Sequence, residues 1–362
     1  MKNFSSTIRD QRLIQAALGR GLPPLTGEFP AIFAGVDKVC LVTGSDAPAS
    51  LRARATALFP EGGQPHSYYW LPPSEKAKTL NEAAKLCAFL FSRGFSRNSL
   101  IVAAGGGTVT DLAGFAASIY MRGIKWVSVP TSFLGQIDAG LGGKTAVNLG
   151  GAKNMLGTFY QPALSVCDTA FLDSLPHAEL RSGAGELVKY AMIGPAGLRR
   201  TITKNLSHAL SGDKSALTSC VAACAEFKLA VVAGDERDER GMRETLNFGH
   251  TAGHAFEAMA EGRLPHGEAV ARGLRFALIV SRDAGLLKPA DFKKMDALVD
   301  ALHLPPAKVR ADFRRFLSLV SMDKKARGAG NRFILLRAPG RTAAARDIKD
   351  SLLKKAFEGA LK

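Results

Sequence analysis

Up to about residue 175 the chain alternates short β-branched runs with stretches of helical periodicity, and few folds admit that order. Residues 38–43 (KVCLVT), 67–71, 100–104 (LIVAA), 125–130 (KWVSVP) and 164–168 read as strands, with helical stretches such as 76–94 between them. Strand, helix, strand in repetition predicts a parallel sheet with helices on its faces. A run as apolar as LIVAA suits a strand buried on both sides. Beyond residue 175 the pattern changes. Residues 178–192, 216–233, 245–260, 267–284 and 305–320 read as helices, and only 332–337 (RFILLR) as a strand. The expectation is an α/β plus α architecture, with an α/β domain over 1–174 followed by a mainly α-helical domain over 175–362. Two domains suit 362 residues at ~150 per domain.

Composition narrows the class. At 46% hydrophobic and 22% charged the chain can bury a large core and is not disordered. No run reads as the ~20 apolar residues of a membrane helix; the best stretch, 100–120, is split by glycines and Asp111. The start, MKNFSSTIRDQRL, carries no apolar block before a small-residue cleavage site, so no secretory leader is expected. Cys40, Cys87, Cys167, Cys220 and Cys224 form no CxxC pair, which predicts reduced thiols and a cytoplasmic setting. The formal charge is +16, a balance compatible with nucleic acid, anionic membranes or acidic small molecules. From Asp323 to Lys362 eleven basic residues face four acidic ones, with only Phe333 and Phe357 as aromatics. That is a poor base-stacking platform, so a solvated basic surface is expected and no specific nucleic acid or membrane partner.

Two glycine-rich segments carry polar chemistry. In LIVAAGGGTVTDLAGF, Gly105, Gly106 and Gly107 follow a buried strand and precede a helix, where free N–H groups and the helix dipole favour a phosphate. Against GxGxxG the third position is Thr110, so the turn reads equally as a nucleotide site or as a ligand-free turn. DAGLGGKT (138–145) has Asp138 where a phosphate-binding P-loop needs its first glycine, and an ATPase reading fails there. The same loop gathers Asp138, Lys144, Asn148, Lys153 and Asn154 on flexible backbone, a collection suited to wrapping a polar ligand.

Three of seven histidines, His250, His254 and His266, fall close together. In LNFGHTAGHAFEA, Asn247, His250 and His254 are spaced to share one helix face. HTAGH lacks the glutamate of HExxH, so zinc-protease chemistry is not implied. Upstream, GELVKY places Glu186 and Lys189 at i, i+3. A carboxylate and two imidazoles with one open position make a normal catalytic zinc set. Spacing alone leaves a second reading open, in which these histidines hydrogen-bond within the core.

GGGTVTDLAGF, RGIKWVSVPTS, QIDAGLGGKTAVN, AKNMLGTFYQP, ELVKY, RETLNFGHTAGHA, HGEAVARG and DKK, in this order, resemble the 3-dehydroquinate synthase family across residues 72–336. The resemblance implies a Rossmann-like parallel-sheet NAD domain, a mainly α-helical metal-binding domain, an active site in the cleft between them, and a homodimer. It also implies conversion of the sugar acid phosphate DAHP to 3-dehydroquinate and phosphate, with NAD and Zn2+ or Co2+ as cofactors. By position, Glu186, His250 and His266 match the metal ligands, and His254 matches a substrate contact. Asp138, Lys144, Asn154, Lys189, Lys228, Arg243, Asn247 and one of Lys324 and Lys325 match substrate-site positions. Arg122 matches an arginine that reaches substrate phosphate across the dimer. Glu75, Lys78, Gly106, Gly107, Thr108, Asp111, Thr131 and Ser132, with Asp138, Lys144 and Lys153, match NAD contacts.

The residue types suit that reaction, since fixed cations bind a carboxylate and a phosphate and stabilise developing negative charge. Three positions depart from the family pattern. Gly44 stands where an aspartate is usual, with Asp46 available nearby. Thr110 replaces a glycine. The Lys228–Arg243 interval is one residue longer than usual, and counting back from Arg243 favours Glu239 over Asp235 as the acidic match. Sister cyclases acting on sedoheptulose 7-phosphate or glucose 6-phosphate are the main alternative, followed by metal-dependent polyol dehydrogenases and a non-catalytic nucleic-acid-binding protein. Persistence of Lys228, Asn247, His254 and the DKK lysines favours the first reading.

Overall fold

The computed structural model describes residues 2–7, 13–59, 65–150, 152–307, 309–325 and 332–362. The chain divides into two compact units, Met1–Leu175 with Lys228–Arg237, and Pro176–Phe227 with Asp238–Lys362.

The first unit is built on a seven-stranded sheet. Its strands are β1 (Lys2–Thr7), β2 (Leu13–Gly19), β3 (Val39–Gly44), β4 (Ser67–Leu71), β5 (Leu100–Gly105), β6 (Lys125–Pro130) and, after the separate antiparallel hairpin of β7 (Lys144–Leu149) and β8 (Ala152–Phe159), β9 (Leu164–Asp168). The order is β1-β2-β9-β6-β5-β3-β4. All neighbours are parallel except β1, which runs antiparallel to β2. Along β5, Ile101 and Ala103 enter one core cluster with Leu86, Leu112 and Trp126, whereas Leu100, Val102 and Ala104 enter another with Leu41, Val127 and Val166. A period of two with both faces covered explains the unbroken apolar run. The chain leaves β3 towards β4 on one side and returns to β5 on the other, so the carboxyl ends of β3 and β5 border the crevice where such sheets bind ligands.

The second unit is mainly helical, with His177–Ile193, Ala196–Leu210, His250–Met259, His266–Asp283, Pro289–Asp300, Phe313–Lys325 and Asp350–Leu361, and a hairpin of β10 (Phe333–Ala338) and β11 (Arg341–Ala345). Periodicity did not reveal β1, β2, the β7–β8 hairpin, β11, or the helices Ala49–Ala57, Ala196–Leu210, Pro289–Asp300 and Asp350–Leu361.

Several expected boundaries move, each for a local reason. The helix expected over 76–94 runs Leu80–Ser92, because the Thr79 hydroxyl caps it by accepting the Glu82 N–H at 3.2 Å, after a short 3-10 turn at Glu75–Ala77. The helix expected over 305–320 runs Phe313–Lys325, started by Asp312, whose carboxylate accepts the Arg315 N–H at 3.0 Å. The helix expected over 245–260 is two pieces, a 3-10 turn Met242–Asn247 and the α-helix His250–Met259, joined through Gly249 at φ +79°. The helix Lys214–Gly234 corrects the reading that no segment is long and apolar enough to span a membrane, since it passes by length and composition. Its Cys220, Val221, Cys224 and Ala225 are buried, and Lys228 near its end pairs with Asp138, the packing of a protein core helix. All five cysteines are free thiols.

Candidate active site

In the first unit, Gly106 precedes the helix Gly107–Ile119, whose N-terminus has no side-chain cap. The glycine turn therefore presents backbone at a helix N-terminus beside the carboxyl end of β5, an arrangement that fits a dinucleotide pyrophosphate. Thr131 N–H donates to Gly105 carbonyl at 2.9 Å, and Ser132 Oγ accepts the Gly135 N–H at 3.2 Å, so both sit on the loop flanking the turn. Thr110 is buried and donates its hydroxyl to Gly107 carbonyl at 3.2 Å, which absorbs the polar group that replaces a glycine. At the end of β3 a Cβ on Gly44 would lie 2.6 Å from Asp46 Oδ1. The Asp46 carboxylate thus fills the space that a side chain at position 44 would enter.

A connected polar web lies beside this turn. Lys78, 4% exposed, donates to Asp111 Oδ2 at 2.5 Å and to Asn154 Oδ1 at 2.5 Å. Burial pushes the Asp111 carboxyl up to about 6, although Lys78 opposes the shift. Thr108 Oγ1 and Asn148 Nδ2 donate to the two oxygens of Glu75, at 2.7 and 3.1 Å, and Asn148 Oδ1 accepts the Asn154 N–H at 2.9 Å. Asn148 therefore joins Glu75 to Asn154. Sequence reasoning noted it in the polar loop without assigning it a role. Asn154 sits at φ +57°, held there by these bonds. Asp138 pairs with Lys228. Lys144 and Lys153 are exposed on the β7–β8 hairpin, and Arg122 is exposed at the end of the 3-10 turn Tyr120–Arg122. Asp235 is buried in this unit, while Glu239 belongs to the other.

In the second unit, one ligand atom from each of Glu186, His250 and His266 lies within 4.8 Å of the others. Glu186 Oε1 is 3.1 Å from His250 Nε2 and 3.4 Å from His266 Nε2, and Glu186 Oε2 is 2.5 Å from Lys189 Nζ. Three helices bring these groups together by touching through bare backbone. A Cβ on Gly185 would collide with the Gly267 carbonyl, and one on Gly267 with the Ser182 carbonyl. Gly273 meets Gly249 and Gly253 in the same way, and Gly249 takes its left-handed conformation under Leu274 and Gly273. Burial raises the Glu186 carboxyl, but Lys189 and the two imidazoles outweigh it and hold it well below the usual carboxylate range. Burial lowers His266, but bonds to Glu186 and Glu257 outweigh that and lift it to about 9. A carboxylate and two imidazoles converging in this way fit a divalent ion of the zinc type.

Of the remaining positions in the second unit, one needs a correction. His254 is exposed, its ring 5.4 Å from that of His250 and 6.0 Å from that of His266. Arg243 is buried at 1% exposure, and it shares with Asn247 the 3-10 turn ahead of the helix. Asn247 therefore does not continue the His250–His254 helix face, and at three residues per turn it is rotated by about a third of a turn from Arg243. Lys324 and Lys325 end the helix Phe313–Lys325, but their side chains lie outside the described residues. Glu257, absent from the sequence-derived set, accepts a hydrogen bond from the His266 ring, with its Oε2 3.0 Å from Nδ1. It follows His250 and His254 at i+7 and i+3, a spacing that marks the same helix face.

Known proteins share this pattern. Residues 68–182 match the 3-dehydroquinate synthase N-terminal family, and residues 183–326 match the 3-dehydroquinate synthase C-terminal family. The 3-dehydroquinate synthase of Alkaliphilus metalliredigens (strain QYMF) is 36% identical over 324 residues, 89% of this chain and 89% of its own. That of Bradyrhizobium sp. (strain BTAi1) is 37% identical over 363 residues, 96% of this chain and 94% of its own. Among solved structures, 2-deoxy-scyllo-inosose synthase complexed with carbaglucose-6-phosphate, NAD+ and Co2+ superposes with a TM-score of 0.87 at 27% identity, covering 99% of this chain and 100% of that one.

Proposed function

The chain belongs to the 3-dehydroquinate synthase family, and on that premise we propose that it converts DAHP to 3-dehydroquinate and phosphate with NAD and a divalent ion as cofactors. The observation that carries the reading is the Glu186, His250 and His266 cluster with Lys189 bonded to its carboxylate. When bound, the ion supplies Lewis acidity to a substrate hydroxyl and NAD supplies reversible hydride acceptance. The chain's own residues do the rest. Glu186 holds the Lys189 ammonium at a fixed point, and Asp138 does the same for Lys228. Cations fixed in this way bind carboxylate and phosphate oxygens and need little rearrangement when negative charge develops. Arg243 brings a permanently charged planar fork suited to bidentate contact with the substrate carboxylate. Lys78, Asp111, Glu75 and Thr108 order the cofactor side of the first unit through the bonds described above. In this reading the protein is a cytoplasmic homodimer, with the exposed Arg122 acting on the partner's substrate.

The sister reading, a cyclase using sedoheptulose 7-phosphate, makes a different prediction. That sugar lacks the carboxylate, so the buried Arg243 fork would lose the bidentate contact that this reading assigns to it, and binding should weaken. The test is purified protein with DAHP, NAD and zinc, followed for phosphate release and dehydroquinate. Turnover is expected with no net accumulation of NADH, and with strong discrimination against sedoheptulose 7-phosphate. Equal kcat/KM on the two sugars overturns the assignment.

A further inference from the structure

The two imidazoles of the triad are held from behind in different ways. His250 turns Nε2 to Glu186, while its Nδ1 lies 3.3 Å from the Phe248 carbonyl. His266 also turns Nε2 to Glu186, but its Nδ1 lies 3.0 Å from Glu257 Oε2, a carboxylate. In both rings the nitrogen facing the cluster is Nε2 and the other is engaged. An engaged Nδ1 carries the proton and leaves the Nε2 lone pair for a ligand, and a carboxylate partner also makes that lone pair more basic than a carbonyl does. Glu257 lies on the helix His250–Met259, two turns beyond His250 and on the same face. The helix that offers one ligand therefore also supports the other, and half-burial of Glu257 limits how freely water replaces it.

We propose that Glu257 is a positioning residue for the metal site, fixing the tautomer and orientation of His266 through its Nδ1–Oε2 bond and thereby setting how tightly the cluster holds a divalent ion. The proposal rests on Glu186, His250 and His266 being the ligands. Its prediction is asymmetric. Removing the Glu257 charge weakens the ion through His266 alone and leaves the His250 side, backed by main chain, as it was.

The test uses the full chain stripped of metal and titrated with Zn2+ against a chromophoric chelator, for wild type, Glu257→Gln, His266→Ala and the double variant. Glutamine keeps the shape and loses the charge, and is expected to weaken Zn2+ binding on the order of 10–100-fold. In the His266→Ala background the same change is expected to alter affinity less than about twofold, because the coupling runs through the ring. Co2+-loaded Glu257→Gln should also show a shifted visible ligand-field band. Glu257→Asp, one methylene shorter, should give an intermediate loss and serves if the glutamine variant does not fold. Wild-type affinity in Glu257→Gln, or an equal loss in both backgrounds, overturns the role of Glu257 while leaving the ligand set standing. A wild-type chain that takes up no Zn2+ overturns both.

Discussion

Replacing Gly267 by alanine asks whether the triad exists because two helices meet through bare backbone. A methyl at this position points into the Ser182 carbonyl, and Gly185 on the facing helix is equally closed by the Gly267 carbonyl. Each glycine neighbours a member of the triad, Gly185 before Glu186 and Gly267 after His266. Alanine gains up to ~1 kcal/mol of helix propensity. Against it stands the clash, which no rotamer relieves because the opposing atoms are main chain, so the helices must separate by more than an ångström. Overpacking costs about 1–3 kcal/mol, and backbone against backbone belongs at the upper end. The balance is a loss of about 2 kcal/mol, or about 4–8 °C in unfolding temperature for a unit of this size. Metal sites tolerate only ~0.2 Å in ligand distance, so a shift of that size should weaken Zn2+ at least about tenfold. The assays are thermal unfolding of the metal-free chain and chelator competition. Gly197, exposed on Ala196–Leu210 with nothing within 4 Å of a built Cβ, is the control, and its alanine variant should bind Zn2+ as wild type does. A Gly267→Ala chain with unchanged melting and unchanged Zn2+ affinity would refute the reasoning.

Chelation should abolish activity and zinc or cobalt should restore it, whereas His250→Ala should stay inactive at wild-type metal concentrations; full activity of that variant after exhaustive chelation removes His250 from the site. His266 keeps a proton up to about pH 9 in the metal-free chain, so Zn2+ affinity should climb from pH 6 towards 9 and then level, as competition at stepped pH will read. By the same shift, His266 stabilises the metal-free fold fully below its ordinary 6.5 and stops doing so as pH rises through about 9, which a melting series against pH checks. Lys78→Met should lift Asp111 above about 6 and strand a half-buried carboxylate, costing on the order of 1–3 kcal/mol at pH 8 and less at pH 5, where the group takes a proton; equal losses by denaturant unfolding at both pH values would count against the pairing. Arg243→Lys keeps the charge but loses the fork, and should lower kcat/KM for DAHP at least about tenfold while NAD titrations stay unchanged.

Local pattern was enough for the parallel strands β3, β4, β5, β6 and β9 and for the Glu186–Lys189 pair, because both depend on neighbours within a few residues. The run LIVAA reads as a doubly buried strand wherever it stands, and residues at i, i+3 on a helix meet whatever surrounds them. The same reasoning misplaced Asn247, because nothing within reach of LNFGH says that Gly249 must turn left-handed under Leu274. It also overlooked β1 and β2. Strand β2 owes its place to pairing with β9, whose register partner for Ala17 is Val166, far away in the chain.

The chemistry divides along the same line. Residue types at ordered positions already pointed to Glu186, His250 and His266 as metal ligands through their resemblance to a family, while spacing alone left metal and core readings open. Tertiary structure decided the convergence. Gly185 and Gly267 matter only because their helices cross there, and Glu257 becomes a support for His266 only when a second helix delivers the ring to it. A sequence carries periodicity and caps in short windows. The distance between two helices depends on what both lack at one crossing, and neither window contains the other.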